Sequence, residues 1–142
     1  MAIARPTHRR LFAVFDHAHG HLARKAGVVL AKTGVRPAQA MALVYLGYHN
    51  GCQLSELAGG IGSGNAATTG LIDRMEKAGL VIRKKLASDG RGRTVHLSQK
   101  GLDVREKVMD ILRDFDDKLA AHFTDSEMNT ITKFLAIAAG TE

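Results

Sequence analysis

Cysteine is nearly absent: Cys52 stands alone among 142 residues. A lone thiol closes no internal disulfide, so packing must hold the fold, and a reducing cytoplasm is the expected setting. Proline is almost as scarce. Pro6 and Pro37 are the two in the chain, and each stands where a helix can begin, the position proline tolerates best. No apolar run approaches the roughly 18 residues of a membrane span, and Met1–Pro6 lacks the apolar core of a secretory signal. Internal repeats, low-complexity tracts and flexible linkers are missing too. There is no P-loop, G-x-G-x-x-G, G-x-S-x-G or paired metal motif, and the 14 acidic residues form no recognisable catalytic pair. Neither enzyme activity nor a cofactor or metal centre is expected.

What remains is a chain with 45% hydrophobic and 24% charged residues, the composition of one globular domain able to bury its own core. The net charge is +6, unevenly spread: +6 over residues 1–53, +3 over 54–98 and −3 over 99–142. A basic bias in the first two thirds suits a polyanionic partner.

Hydrophobic spacing divides the chain. Leu11, Phe12, Phe15, Leu22 and Val29 return at helical steps, predicting a helix over 7–33 with Gly34 as its C-cap. A second helix follows Pro37 through Met41, Val44, Tyr45 and Tyr48, and stops at Asn50-Gly51. Short helices are predicted over 54–60 and 64–78, separated by Gly59, Gly60 and Gly62. The period then changes to alternation at Leu80, Ile82, Val95 and Leu97, around the hairpin signal Asp89-Gly90. Residues 80–98 therefore read as a two-stranded ribbon. A helical seam resumes over 99–123, and Thr124 with Glu127 has the form of a capping box opening a last helix. The expected fold is mainly α with a small β-hairpin, ordered as a winged helix-turn-helix.

That order suits double-stranded DNA, because the major groove admits one α-helix. The helix at 64–78 would enter it. Ser63, Gly64, Asn65, Ala67, Thr68 and Thr69 are its candidate contacts, with Arg74 further along. Asn65 can pair with a base edge, and the two threonines with bases or phosphates. The ribbon adds Arg83, Lys84 and Lys85 on its strands, and Arg91 and Arg93 at its tip, against a single acid, Asp89. Such a hairpin can follow the backbone or enter the minor groove. Asp89 is suited to hold Arg91 in place.

Four stretches together resemble the multiple-antibiotic-resistance regulator (MarR) family. They are Leu54–Ala58, Leu71–Val81, Asp89-Gly90-Arg91 and Val95–Gly101. The resemblance implies a homodimer whose first, fifth and sixth helices interlock. It implies a DNA-binding lobe at 36–98 between dimerisation helices at 1–33 and 99–142, all within one domain, 1–142. The wing motif D-x-R falls on Asp89 and Arg91. A pseudo-palindromic operator follows from the two-fold axis. The long apolar seams at both chain ends argue for the dimer independently. Four positions depart from the family pattern. Gly70 stands where a basic residue is common, Thr68 where an aliphatic is usual, Ala67 where a hydroxyl is usual, and Gln53 where Ser or Thr often caps the short helix. Readout by Asn65, Thr69, backbone groups and groove shape is therefore expected in place of arginine on guanine.

The resemblance also implies control by a small aromatic or phenolic acid, bound among helices one, two and five. His17, His21, Tyr45, Tyr48 and Met109 are the candidates there. The basic first helix, with Arg5, Arg9, Arg10, Arg24 and Lys25, suits a larger anion such as an aryl-CoA thioester. His17, His19 and His21 are read as helix surface or pocket lining rather than a metal site, and Cys52 as an inert, partly buried thiol. Repression released by the ligand is the expected activity. The alternatives are a DNA-architectural protein without effector and a metal- or redox-responsive regulator.

Overall fold

The computed structural model describes residues 10–86 and 92–141. It divides into two compact units, Met1–Met109 and Asp110–Glu142.

In the first unit α1 runs Leu11–Leu30 and tightens into a 3₁₀ turn, Ala31–Thr33. Gly34 closes that turn at φ 76°, donating its N–H to the Ala31 carbonyl at 3.1 Å, as the sequence predicts. Pro37 opens α2, Pro37–Tyr48. The Arg36 N–H, an orphan at that terminus, is taken by Gln39 Oε1 at 3.0 Å. After the Asn50-Gly51 turn come α3, Leu54–Gly60, and α4, Asn65–Lys77. Then follow the wing strands β2, Val81–Lys85, and β3, Arg93–Leu97, paired antiparallel from Val81↔Leu97 to Lys85↔Arg93.

A third strand escapes the sequence reading. Cys52–Gln53 forms β1 and pairs with Val95 and Thr94, giving the sheet order β1-β3-β2. Two residues are too short to show alternation, so β1 exists only through its partner. The turn before it is pinned to β3 twice: Asn50 Oδ1 accepts the Leu97 N–H at 2.8 Å, and the Gly51 N–H reaches the Val95 carbonyl at 2.9 Å. Gly51 sits at φ 82°, and a Cβ there would stand 2.9 Å from the His96 ring, so conformation and space both call for glycine.

The core gathers Leu30, Leu43, Leu46, Leu57, Ile72, Met75, Val81, Val95 and Val108, each at or near zero exposure. Each such aliphatic contributes roughly 1.5–3 kcal/mol by leaving water. The helix α5, Gln99–Ala120, starts in this unit. Ser98 caps it, its Oγ accepting the Gly101 N–H at 3.0 Å while donating to the Gly79 carbonyl. Gly101 itself is buried, and a Cβ on it would collide with the Leu80 carbonyl oxygen.

In the second unit, α6 runs Asp125–Ala139 behind the capping box foreseen in the sequence. The Thr124 N–H meets Glu127 Oε2 at 2.8 Å, and the Glu127 N–H meets Thr124 Oγ1 at 3.2 Å. No residue of α6 is buried, and Leu135 and Ile137 stand exposed. No described helix is long and apolar enough to cross a membrane.

Candidate nucleic-acid interface

The two short helices α3 and α4 pack together across a turn held by backbone bonds. The Ser63 N–H reaches the Ala58 carbonyl at 2.9 Å, and Gly62 takes φ 66°. Gly64, not Asn65, is the N-cap of α4, and no side chain caps the helix. Asn65, Ala66 and Ala67 are exposed in its first turn, and Ser63 is half-buried. Small residues there let another molecule approach the backbone closely.

Thr68 requires a correction. It is fully buried, and its hydroxyl donates to the Gly64 carbonyl at 2.9 Å, so it has no surface for a base or phosphate. It belongs to the seam Thr68, Leu71, Ile72 and Met75, all buried on one face of α4. The resemblance in sequence, which implies an aliphatic at this position, points to the same burial. Thr69 is half-buried, with its hydroxyl turned back to the Asn65 carbonyl at 2.9 Å. That bond leaves it an acceptor rather than a free donor.

Arg83, one of the ribbon's five positive charges, is committed within the protein. Its Nη2 bonds to Asp73 Oδ1 and lies 3.2 Å from Glu76 Oε1, and its backbone N–H reaches Glu76 Oε2 at 3.3 Å. Hydrogen bonding to Arg83 holds the Glu76 carboxyl below the usual carboxylate range, against the opposing effect of desolvation. Arg83 therefore ties the root of the wing to α4. Sequence alone showed the charge but not its partners, which lie seven and ten residues back on another element. Lys84, Lys85 and Arg93 remain exposed, with Lys85 and Arg93 directly opposite across the strands. Asp89 and Arg91, the wing-tip candidates, lie outside the described residues, as do Arg5 and Arg9.

The candidate effector residues are scattered in role. His17 and His21 are exposed on α1 with ring centroids 4.3 Å apart, and the nearby Arg24 charge, then His17, holds the His21 imidazole below its ordinary range. Tyr45 stacks on His49 at 4.3 Å, and its ring covers Gly60 so closely that no Cβ would fit there. Tyr48 is exposed, with the Arg105 guanidinium 5.1 Å from its ring centre. Arg105 also donates to the Leu43 carbonyl at 3.1 Å and lies directly over Gly47, a contact between α5 and α2 that sequence spacing did not reveal. Met109 is half-buried on α5. Cys52 is buried, and burial, then the Glu56 charge, pushes its thiol up in pKa. Among the described residues, no group of three or more His, Cys, Asp or Glu is placed to hold a metal.

Comparison with known proteins agrees with this geometry. Residues 35–92 match the model of the MarR family. A Bacillus subtilis protein, the uncharacterised HTH-type transcriptional regulator YsmB, is 29% identical over 119 residues, covering 84% of this chain and 82% of its own. The fold is similar to that of a cysteine-to-serine mutant of MarR from E. coli complexed with operator DNA. That match has a TM-score of 0.82 and 22% identity, and covers 90% of this chain and 92% of that one. It is also similar to CouR from Rhodococcus jostii bound to p-coumaroyl-CoA, with a TM-score of 0.78 and 20% identity over 89% and 88% of the two chains.

Proposed function

We propose that this chain is a DNA-binding transcription regulator of the MarR family, working as a homodimeric repressor released by a small aromatic or phenolic acid, free or CoA-linked. One observation carries the DNA-facing part. The first turn of α4, free of any side-chain cap, exposes Asn65, Ala66 and Ala67, while Arg83 fixes the cationic wing to the same helix. In this reading Ser63, Gly64, Asn65, Ala67 and Thr69 meet the major groove. Arg74, Lys84, Lys85 and Arg93, with Asp89 and Arg91 at the wing tip, meet the backbone and minor groove.

The dimer is supported by apolar surface that a single chain leaves uncovered. On α1, Leu11, Phe12, Val14 and Leu22 are exposed, Phe12 by 86%, and on α6 no residue is buried. A second copy would bury these faces and place two recognition helices roughly 34–36 Å apart, one DNA turn. Fragments of the source genome captured by the purified protein should share a pseudo-palindromic motif. Captured fragments with no common motif would overturn the sequence-specific reading and favour an architectural role.

For the effector, the cationic surround of His21 and the aromatic rings of Tyr45 and Tyr48 suit an anionic aromatic ligand. The p-coumaroyl-CoA complex of CouR is a precedent in this fold. Adding p-coumaroyl-CoA or benzoate to the protein on its captured duplex should release the DNA. No release by either would set the effector class aside.

A further inference from the structure

An open cleft of about 480 Å³ lies between the start of α2 and the middle of α4, lined by Gly34, Arg36, Ala38, Gln39, Leu71 and Arg74. We propose that Arg36 and Arg74 close this cleft as a clamp on a single phosphate of the DNA backbone. The inference rests on the DNA-binding role above and adds Arg36, which lies outside the helix-turn-helix and wing contacts. It also gives Arg74 a specific partner.

Three features support it. The first is charge. The lining holds two guanidiniums and no carboxylate. The acids nearest on α4, Asp73 and Glu76, are both engaged by Arg83 and leave Arg74 uncompensated. Among the described residues, neither Arg36 nor Arg74 forms an ion pair. The second is donor geometry. Gln39 spends its carbonyl oxygen on the Arg36 N–H, which leaves its amide NH₂ for the cleft. The cleft's polar side chains therefore all present N–H donors, as an oxyanion requires, and paired guanidiniums suit phosphate. The third is placement. Ala67, Gly70 and Arg74 share one face of α4 at three- and four-residue steps. The Arg74 Nη1 lies 3.5 Å from where a Cβ on Gly70 would be. Arg74 thus folds back over Gly70, the position where a basic residue is common in the family, along the face that this reading turns to DNA. The missing charge is delivered from one turn further on.

The test is a double-mutant cycle on the full chain, read by anisotropy of a labelled random-sequence 30-base-pair duplex across a salt series. R36A and R74A should each weaken binding by roughly 3–10-fold, and R36A should lower the salt slope by about 0.9 per protomer. Two residues on one phosphate are coupled, so the double variant should lose much less than the product of the two single losses. R36K should retain the slope. Thermal unfolding of each variant within a few degrees of the parent confirms that the fold is intact. Wild-type affinity and slope in R36A, or strictly multiplicative losses, would overturn the clamp. If K84A and K85A still weakened binding in that case, the DNA role would stand. Failure of the parent protein to bind any duplex would overturn both. Benzoate binding that disappears in R36A while duplex affinity is unchanged would assign the cleft to a free carboxylate, and the phosphate clamp would fall.

Discussion

Arg83 in β2 and Glu76 in α4 are joined through both backbone and side chain. Arg83 donates its N–H at 3.3 Å and its Nη2 at 3.2 Å to the two oxygens of one carboxylate. The wing is thereby oriented on the helix beside it by a two-point contact, with Asp73 sharing the same guanidinium. This makes the wing's aim a property of α4 rather than of the hairpin alone.

Replacing Arg83 by alanine should cost about 1 kcal/mol of stability, since the network is partly exposed. Affinity for duplex DNA should fall several-fold, because the wing loses its tether. Urea melts and anisotropy titrations of the same preparation separate the two effects. Equal losses in R83A and in a charge-only control such as K85A would show that orientation is not the mechanism.

Glu76 is held below its ordinary pKa chiefly by its hydrogen bonds to Arg83. Its contribution to stability is therefore complete above the unfolded-state value of about 4.3, and is lost as pH falls through the lower folded value. The stability gap between the parent chain and E76Q should stay flat from about pH 8 to pH 5 and shrink below about pH 4. A gap that narrows at neutral pH would contradict the assignment.

Two glycines should respond differently to alanine. At Gly101 the new Cβ would press on the Leu80 carbonyl oxygen, part of the backbone. Relief requires α5 or the approach to β2 to shift, so G101A should cost about 3 kcal/mol or more, at the upper end for overpacking. At Gly47 the obstacle is the Arg105 guanidinium, the mobile end of a long side chain. G47A should cost about 1 kcal/mol, the worth of the displaced hydrogen bond to Leu43. Chemical denaturation of both variants gives the comparison.

Asn65 and Thr68 stand three residues apart with opposite fates. T68V should leave DNA affinity within about twofold, because the Gly64 carbonyl keeps the Thr68 N–H as donor when the hydroxyl is gone. N65A should weaken binding to the captured site by about 1–3 kcal/mol while leaving random-sequence affinity nearly unchanged. A T68V loss as large as that of N65A would return Thr68 to the interface.

The architecture was legible because its boundaries are written locally. Gly34, Pro37, the Asn50-Gly51 pair and the Thr124–Glu127 box each act within a few residues. The end of α5 was less clear, since Ala121–Phe123 continue the apolar pattern after the helix has stopped at Ala120. What escaped was non-local. β1 needs Val95 and Thr94 to exist, and Arg83 meets its acids on a different element. Arg105 reaches Leu43 across 62 positions. The Thr68 hydroxyl looks like a surface group until its place in the α4 seam is counted. The candidate contacts of α4 could be named from its first turn, but which side chains were already committed to the protein itself could not.

Cys52 lies in β1, opposite Val95, buried and with its thiol shifted away from the reactive thiolate. A reagent reaches a buried thiol only when the packing over it opens, so the lone thiol serves as a built-in clock. Pulses of a maleimide, followed by mass measurement, would time the opening of the strand beside the wing without any introduced label. Repeating the pulses on the DNA-bound protein would reveal whether holding the wing also quiets the strand at its far edge.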